Sequence, residues 1–159
     1  MSIRLAEAGD FPSLLRIYQE ARAFMKARGN PAQWGESHPS SSFLQEDLVR
    51  GELYVLYDRE GLYGAFSLNS GEDPTYLRIE GRWRSSSPYL TIHSLASDGT
   101  HKSVFKEVLA FALARSRHLR IDTHEANALM RKLILENGFV YTGRCLEPDG
   151  SERLCYERF

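Results

Sequence analysis

Between Tyr89 and Gly138 the chain changes character repeatedly. "YLTIHSLAS" alternates like a strand, "HKSVFKEVLAFALARS" carries apolar residues at helical spacing, "HLRIDTH" returns to alternation, and "EANALMRKLILENG" is helical again. A strand, a crossover helix and a second strand in one sheet bring the two strands parallel, with a right-handed connection. Few topologies accommodate such a unit in a chain of 159 residues.

The flanks differ in kind. "SIRLAE" reads as a short strand, after which Asp10 caps a helix with Pro12 in its first turn. That helix aligns Phe11, Leu14, Leu15, Tyr18, Ala21 and Met25 before Gly29-Asn30 ends it. After the loop "PAQWGESHPSS", a second helix runs through "SFLQEDLVRG". "ELYVLYD" and "LYGAFSLN" flank Asp58-Arg59-Glu60-Gly61 as a hairpin, and "PTYLRIEG" is a further extended segment. "FVYTGRCL", the turn "EPDG" and "SERLCYERF" close the chain with another hairpin.

Within the central unit, the first helix buries Phe105, Val108, Leu109 and Ala112. The second buries Ala126, Leu129, Met130, Leu133 and Ile134 before the Gly138 cap. Hairpins around one parallel crossover predict a mixed α+β sheet in a single domain over residues 1–159, and disfavour an all-parallel dinucleotide-binding fold.

The formal net charge of −1 supplies no global field for nucleic acid or an anionic membrane. The opening "MSIRLAEAGDFPSLL" lacks a leader pattern, and the run "VLAFALA" is far shorter than a membrane span. Cys145 and Cys155 form no Cys-x-x-Cys, so free thiols in the cytoplasm are expected. No metal is expected: His118, Asp122 and His124 share one strand, which spaces them too widely to surround one ion.

The chain resembles the GNAT superfamily of acyl-CoA-dependent N-acyltransferases. The resemblance rests on the order and spacing of "QWGESHP", "GELYVL", "IHSLAS", "RIDTHEAN" and "ENGFVYTG". It implies that "YLTIHSLAS" and "HLRIDTH" splay at their C-terminal ends. The pantetheine arm of acetyl-CoA then bonds to the exposed strand near Leu95 and Ala96, and the pyrophosphate rests on the start of the next helix.

In the family's phosphate turn, Gln/Arg-x-x-Gly-x-Gly/Ala, this chain has Thr100, Ser103 and Phe105 at the three marked positions. Gly99, Thr100, His101, Lys102, Ser103 and Val104 are the implied cofactor-binding residues. Phe105 has two readings: its ring packs into the core and leaves the amides available, or it fills the pyrophosphate space. The resemblance also places Asn127 against the cofactor, and puts Ile134 where the family often has a tyrosine that protonates the thiolate.

Transfer to an amine needs a base and an oxyanion donor. The resemblance assigns the donor to a backbone N–H near Leu95 or Ala96. His93 is the first candidate base, two residues before Leu95 by strand alternation; Glu80 could act through water, and Asp122 serves either as an acid–base group or as a helix cap. Gln33 and Trp34 are expected to contact substrate. Arg78, Arg82 and Arg84 suit either an acidic acceptor or a solvated face.

The leading expectation is an N-acetyltransferase taking acetyl-CoA as co-substrate and a primary amine of a small molecule or protein as acceptor. The alternative is a catalytically silent GNAT-fold module with a degenerate acetyl-CoA site. The strand-rich C-terminus offers an edge that a homodimer could use.

Overall fold

Pro12 fixes the first turn of helix α1 (Phe11–Ala27), and Gly29, at φ +81°, ends it. Its buried stripe is Leu14, Ile17, Tyr18 and Ala21, while Leu15 is 44% exposed. Ile17 thus takes the place that simple spacing gave to Leu15. Ser40 caps helix α2 (Ser41–Val49) by accepting from the Phe43 amide at 3.2 Å.

The computed structural model describes residues 2–159. Its eight strands form one sheet in the order β1 (Ser2–Leu5), β2 (Leu53–Asp58), β3 (Gly61–Ser70), β5 (Leu90–Ser97), β6 (Leu119–Thr123), β8 (Glu152–Arg158), β7 (Val140–Leu146) and β4 (Glu80–Gly81). Among the described residues β5 and β6 are the only parallel pair. The mixed α+β sheet expected from the sequence is the one observed.

Helices cover both faces. α1 and α2 pack on Leu53, Val55, Ala65 and Ala96; α3 (Val104–Leu113) and α4 (Ala128–Glu136) pack on the other side, against Phe66, Ile92, Leu119, Ile121 and Tyr156. α3 buries the expected residues, with Phe105 only 5% exposed. α4 does not: Ile134 is buried, Met130 and Leu133 are partly so, and Leu129 is 54% exposed. At about 100° per residue Leu129 lies roughly 140° round the helix from Ile134, and this short helix has one covered face.

The segment "PTYLRIEG" is not a strand. The Asp73 carboxylate accepts from Thr75 N at 2.9 Å and caps a 3₁₀ turn over Pro74–Tyr76. Only Glu80–Gly81 pairs with a strand, β7, and so forms the far edge of the sheet. The approach is close enough that a Cβ at Gly81 or Gly143 would collide with the facing backbone carbonyl.

Candidate active site

β5 and β6 pair only at Leu90–Leu119 and Thr91–Arg120, then continue to Ser97 and Thr123 without pairing one another. The divergence begins at a bulge. Register with β3 jumps from Ser67–His93 to Ala65–Ala96, and Ser94 between them has φ +52°. A left-handed conformation at a non-glycine residue costs roughly 1–2 kcal/mol. Tyr18, buried in α1, offsets it by donating its hydroxyl to the Ser94 carbonyl at 2.7 Å. A bulge bends and twists its strand, here away from β6.

The bulge also reverses side-chain parity. Before it, Leu90 and Ile92 pack toward α3 and α4; after it, Leu95 does so and Ala96 packs toward α1. The alternation that put His93 and Leu95 on one face is therefore corrected: the extra residue places them on opposite sides.

On the α1 side the wedge opens into a cleft of about 810 Å³. Its walls come from the loop after α1 (Gln33, Trp34, His38), residues 69–75, Thr91 to Leu95, Asp122, Asn127 and the β7–β8 turn at Glu147. His93, 24% exposed, has Nε2 at 3.1 Å from Asp73 Oδ2 and 3.9 Å from Asp122 Oδ2. The ring N–H is not aligned on either oxygen, so the contact is chiefly one of charge.

Burial alone would lower the His93 pKa, but Asp73, Asp122 and Glu147 outweigh it and raise the group to about 9. Burial likewise opposes the charge on Asp73, yet the nearby His93 ring and the bonds donated by Thr75 hold it below the usual carboxylate range. Burial and Asp122 push Glu147 upward, against Arg153 and His93. His38 is lowered by burial, then by His93 and Arg153. Tyr76 Oη donates to Asp122 Oδ2 at 2.5 Å, and burial beside that carboxylate keeps the phenol protonated.

This architecture has counterparts. A GNAT-family acetyltransferase from Streptococcus agalactiae superposes with a TM-score of 0.87 at 26% identity, over 99% of this chain and 94% of that one. The chain belongs to the GNAT superfamily. The N-acetylglutamate synthase of Neisseria gonorrhoeae shares the fold at 16% identity and a TM-score of 0.64, over 99% of this chain and 34% of that one. The "Uncharacterized protein in sul1 3′region" of Escherichia coli is 34% identical over 73 residues, covering 46% of this chain and 91% of that protein. No protein-family model matches the chain. Among the described residues no helix is long and apolar enough to cross a membrane.

GNAT membership implies acetyl-CoA, and the wedge fits it. The Phe105 ring lies in the core with Val108, Leu109 and Ala112, away from the turn. Ser103 stands at the N-cap of α3 without a side-chain cap bond, so the first-turn amides there are uncapped. Gly99, at φ +84°, takes the turn's left-handed position, and Lys102 and Ser103 are exposed beside it. The β5 backbone at Leu95 and Ala96 is unpaired on its β6 side. Val104 itself is buried, leaving its backbone as the part that can face a ligand.

Several assignments change. His101 does not offer its ring to phosphate: Nε2 is 2.9 Å from Asp58 Oδ2, Nδ1 is 2.8 Å from Thr100 Oγ1, and the ring stacks on Tyr63 with centroids 3.6 Å apart. It clamps the turn to the β2–β3 hairpin. The Gly99 and Thr100 amides are taken by Ser97 Oγ and Asp98 Oδ1, each at 3.0 Å. Thr100 therefore shapes the turn.

Asn127, rather than Asp122, caps α4: Oδ1 accepts from Met130 N at 3.1 Å while Nδ2 donates to Gln33 Oε1 at 3.0 Å. Gln33 Oε1 also receives Asn30 Nδ2, Thr123 Oγ1 and His124 N, so Gln33 ties its loop to the end of β6. Trp34 lines the cleft with its ring tilted against Tyr18, centroids 5.8 Å apart.

Glu80 lies exposed on β4 opposite Arg144 at the far edge of the sheet, outside the cleft; the short β4 crosses to β7 instead of preceding β5. Arg78, Arg82 and Arg84 are exposed and also lie outside it. Ile134 is fully buried in the core and offers no proton to a leaving sulfur. Asp73, Tyr76 and Glu147 escaped the sequence reading. Asp73 precedes Pro74 and Glu147 opens "EPDG", both ordinary turn signals with no mark of chemistry.

Proposed function

We propose that this chain is an acetyl-CoA-dependent N-acetyltransferase acting on a primary amine. The observation that carries the reading is the unpaired divergence of β5 and β6 beyond Thr91 and Arg120, opening into the cleft that holds His93. The fold relatives support it. The gonococcal neighbour was solved with coenzyme A and N-acetylglutamate. A cleft of about 810 Å³ falls within the usual range for small-molecule sites, which favours a small amine over a protein amino group.

Acetyl-CoA would supply the thioester as acyl donor. The free backbone of β5 at Leu95 and Ala96 aligns the pantetheine as an added strand would and provides an N–H to the carbonyl oxygen as negative charge develops. The uncapped start of α3, with Lys102 and Ser103, receives the diphosphate. His93 in its neutral form takes the proton from the attacking nitrogen as the N–C bond forms and the C–S electron pair leaves on sulfur. Water admitted by the open cleft then protonates the thiolate. A cytoplasmic setting accords with Cys145 and Cys155, which are buried free thiols.

The test is release of coenzyme A that depends on added amine, with the acetylated amine identified by mass. His93→Ala is expected to remove most of the turnover while acetyl-CoA still binds. Binding without transfer to any amine would leave a silent GNAT-fold module as the correct description.

A further inference from the structure

The acidic lining of the cleft indicates the acceptor's charge. Its carboxylates outnumber its arginines, Arg50 and Arg153. Several of these carboxylates are already satisfied. Asp47 accepts from Ser67 Oγ at 2.6 Å and from Asn69, and Glu52 accepts from Ser70 N at 2.7 Å and from Asn69. Arg153 is spent as well, donating to Gln33 O, Glu152 O and Ser151 Oγ.

Two carboxylates next to His93 are different. Among the described residues the Glu147 side chain accepts no hydrogen bond, and Asp122 accepts one, from Tyr76, on Oδ2. A separate observation comes from β5. Thr91, 1% exposed, lines the same cleft, and its Oγ1 has no hydrogen-bond partner among the described residues. Unfilled acceptors and a buried, unpartnered hydroxyl in one cleft suit a polar, cationic ligand.

We propose that the acceptor is a diamine: one amine meets the thioester at the wedge, and a second ammonium group is held by Asp122 and Glu147, with Thr91 Oγ1 accepting a further hydrogen bond. The inference rests on the N-acetyltransferase reading and adds the substrate class to it. An acceptor bearing a carboxylate is disfavoured, because it would meet Glu147, Asp122 and Asp73 with like charge. Arg78, Arg82 and Arg84 lie outside the cleft, and of the two arginines that line it Arg153 is spent and Arg50 sits 3.9 Å from the Asp47 carboxylate.

Three amines of similar length test this at saturating acetyl-CoA: 1,4-diaminobutane, n-butylamine and 4-aminobutyrate. The expected kcat/KM for diaminobutane exceeds that for butylamine about tenfold or more, as one charge-assisted hydrogen bond allows, with 4-aminobutyrate the poorest. Glu147→Gln should shrink the diamine advantage severalfold; equal rates for diamine and monoamine, or an advantage untouched by Glu147→Gln, would overturn the proposal.

Calorimetric titration of diaminobutane alone separates this inference from the parent reading. Binding to the wild type that weakens in Glu147→Gln supports the diamine site even if no transfer is seen. Absence of binding removes the site even if butylamine is acetylated. Failure of acetyl-CoA to bind tells against the transferase reading alone.

Discussion

The Tyr18 hydroxyl reaches the carbonyl of Ser94 at 2.7 Å, joining the first helix to the one left-handed non-glycine residue among those described. That bond fixes the bulge at which β5 leaves β6, so an element 76 residues away in sequence holds the wedge open. Tyr18→Phe keeps the ring but leaves a partly buried carbonyl without its donor. A stability loss of about 1–2 kcal/mol is expected, read as a lower urea midpoint at constant slope. Acetyl-CoA affinity should fall severalfold with it. A Tyr18→Phe protein with unchanged acetyl-CoA affinity would show that the bulge holds itself.

Phe105 separates core from site. With its ring packed among Val108, Leu109 and Ala112, Phe105→Ala should cost about 3–5 kcal/mol and lower the melting temperature strongly. Acetyl-CoA should bind the folded fraction no more tightly than it binds the wild type. Tighter binding in the variant would mean that the ring obstructs the diphosphate.

His93 gives a pH prediction with a definite sign. Its folded pKa of about 9 lies above the ordinary histidine value of about 6.5, so native His93 retains a proton that the unfolded chain loses. The stability this contributes is fully present below about pH 6.5 and disappears as pH rises through about 9. Asp73→Asn removes the closest carboxylate, and the difference in melting temperature between wild type and variant should narrow across that interval. Turnover should move the opposite way, rising with pH as His93 becomes neutral, and His93→Ala should flatten the profile. A wild-type profile already level at pH 7 would exclude His93 as the base.

The sequence made the sheet class and most elements legible because period-two and period-3.6 patterns survive in β5, α3 and β6. It grouped Phe105 with its helix neighbours but left open whether the ring fills the diphosphate space, and the structure puts the ring in the core. The bulge left no trace, since Ser94 has neither glycine's freedom nor a turn signal around it, and the parity of Leu95 was lost with it. The partners of His93 were hidden for another reason. Asp73, Asp122 and Glu147 come from a loop, a strand end and a hairpin turn, and only the folded sheet brings them to one imidazole. Gln33 was marked for substrate by the resemblance, but its carbonyl oxygen receives donors from Asn30 in its own loop and from Thr123, His124 and Asn127 at the distant end of β6.

The clamp at His101 can be tested separately from the chemistry. His101→Ala removes the stack on Tyr63 and the contacts to Asp58 and Thr100, freeing the turn that precedes α3. Steady-state kinetics should show KM for acetyl-CoA rising severalfold with kcat nearly unchanged, since the loss is of binding shared by ground and transition states. A fall in kcat at constant KM would assign His101 to the reaction itself.

Titration calorimetry of the wild-type protein with acetyl-CoA bears most directly on the open wedge. The expected result is saturable one-to-one binding that weakens in both Tyr18→Phe and His101→Ala and stays intact in His93→Ala. A flat titration at protein and ligand concentrations well above the micromolar range would contradict the account, and would leave a GNAT fold that does not use its gap for the acyl donor.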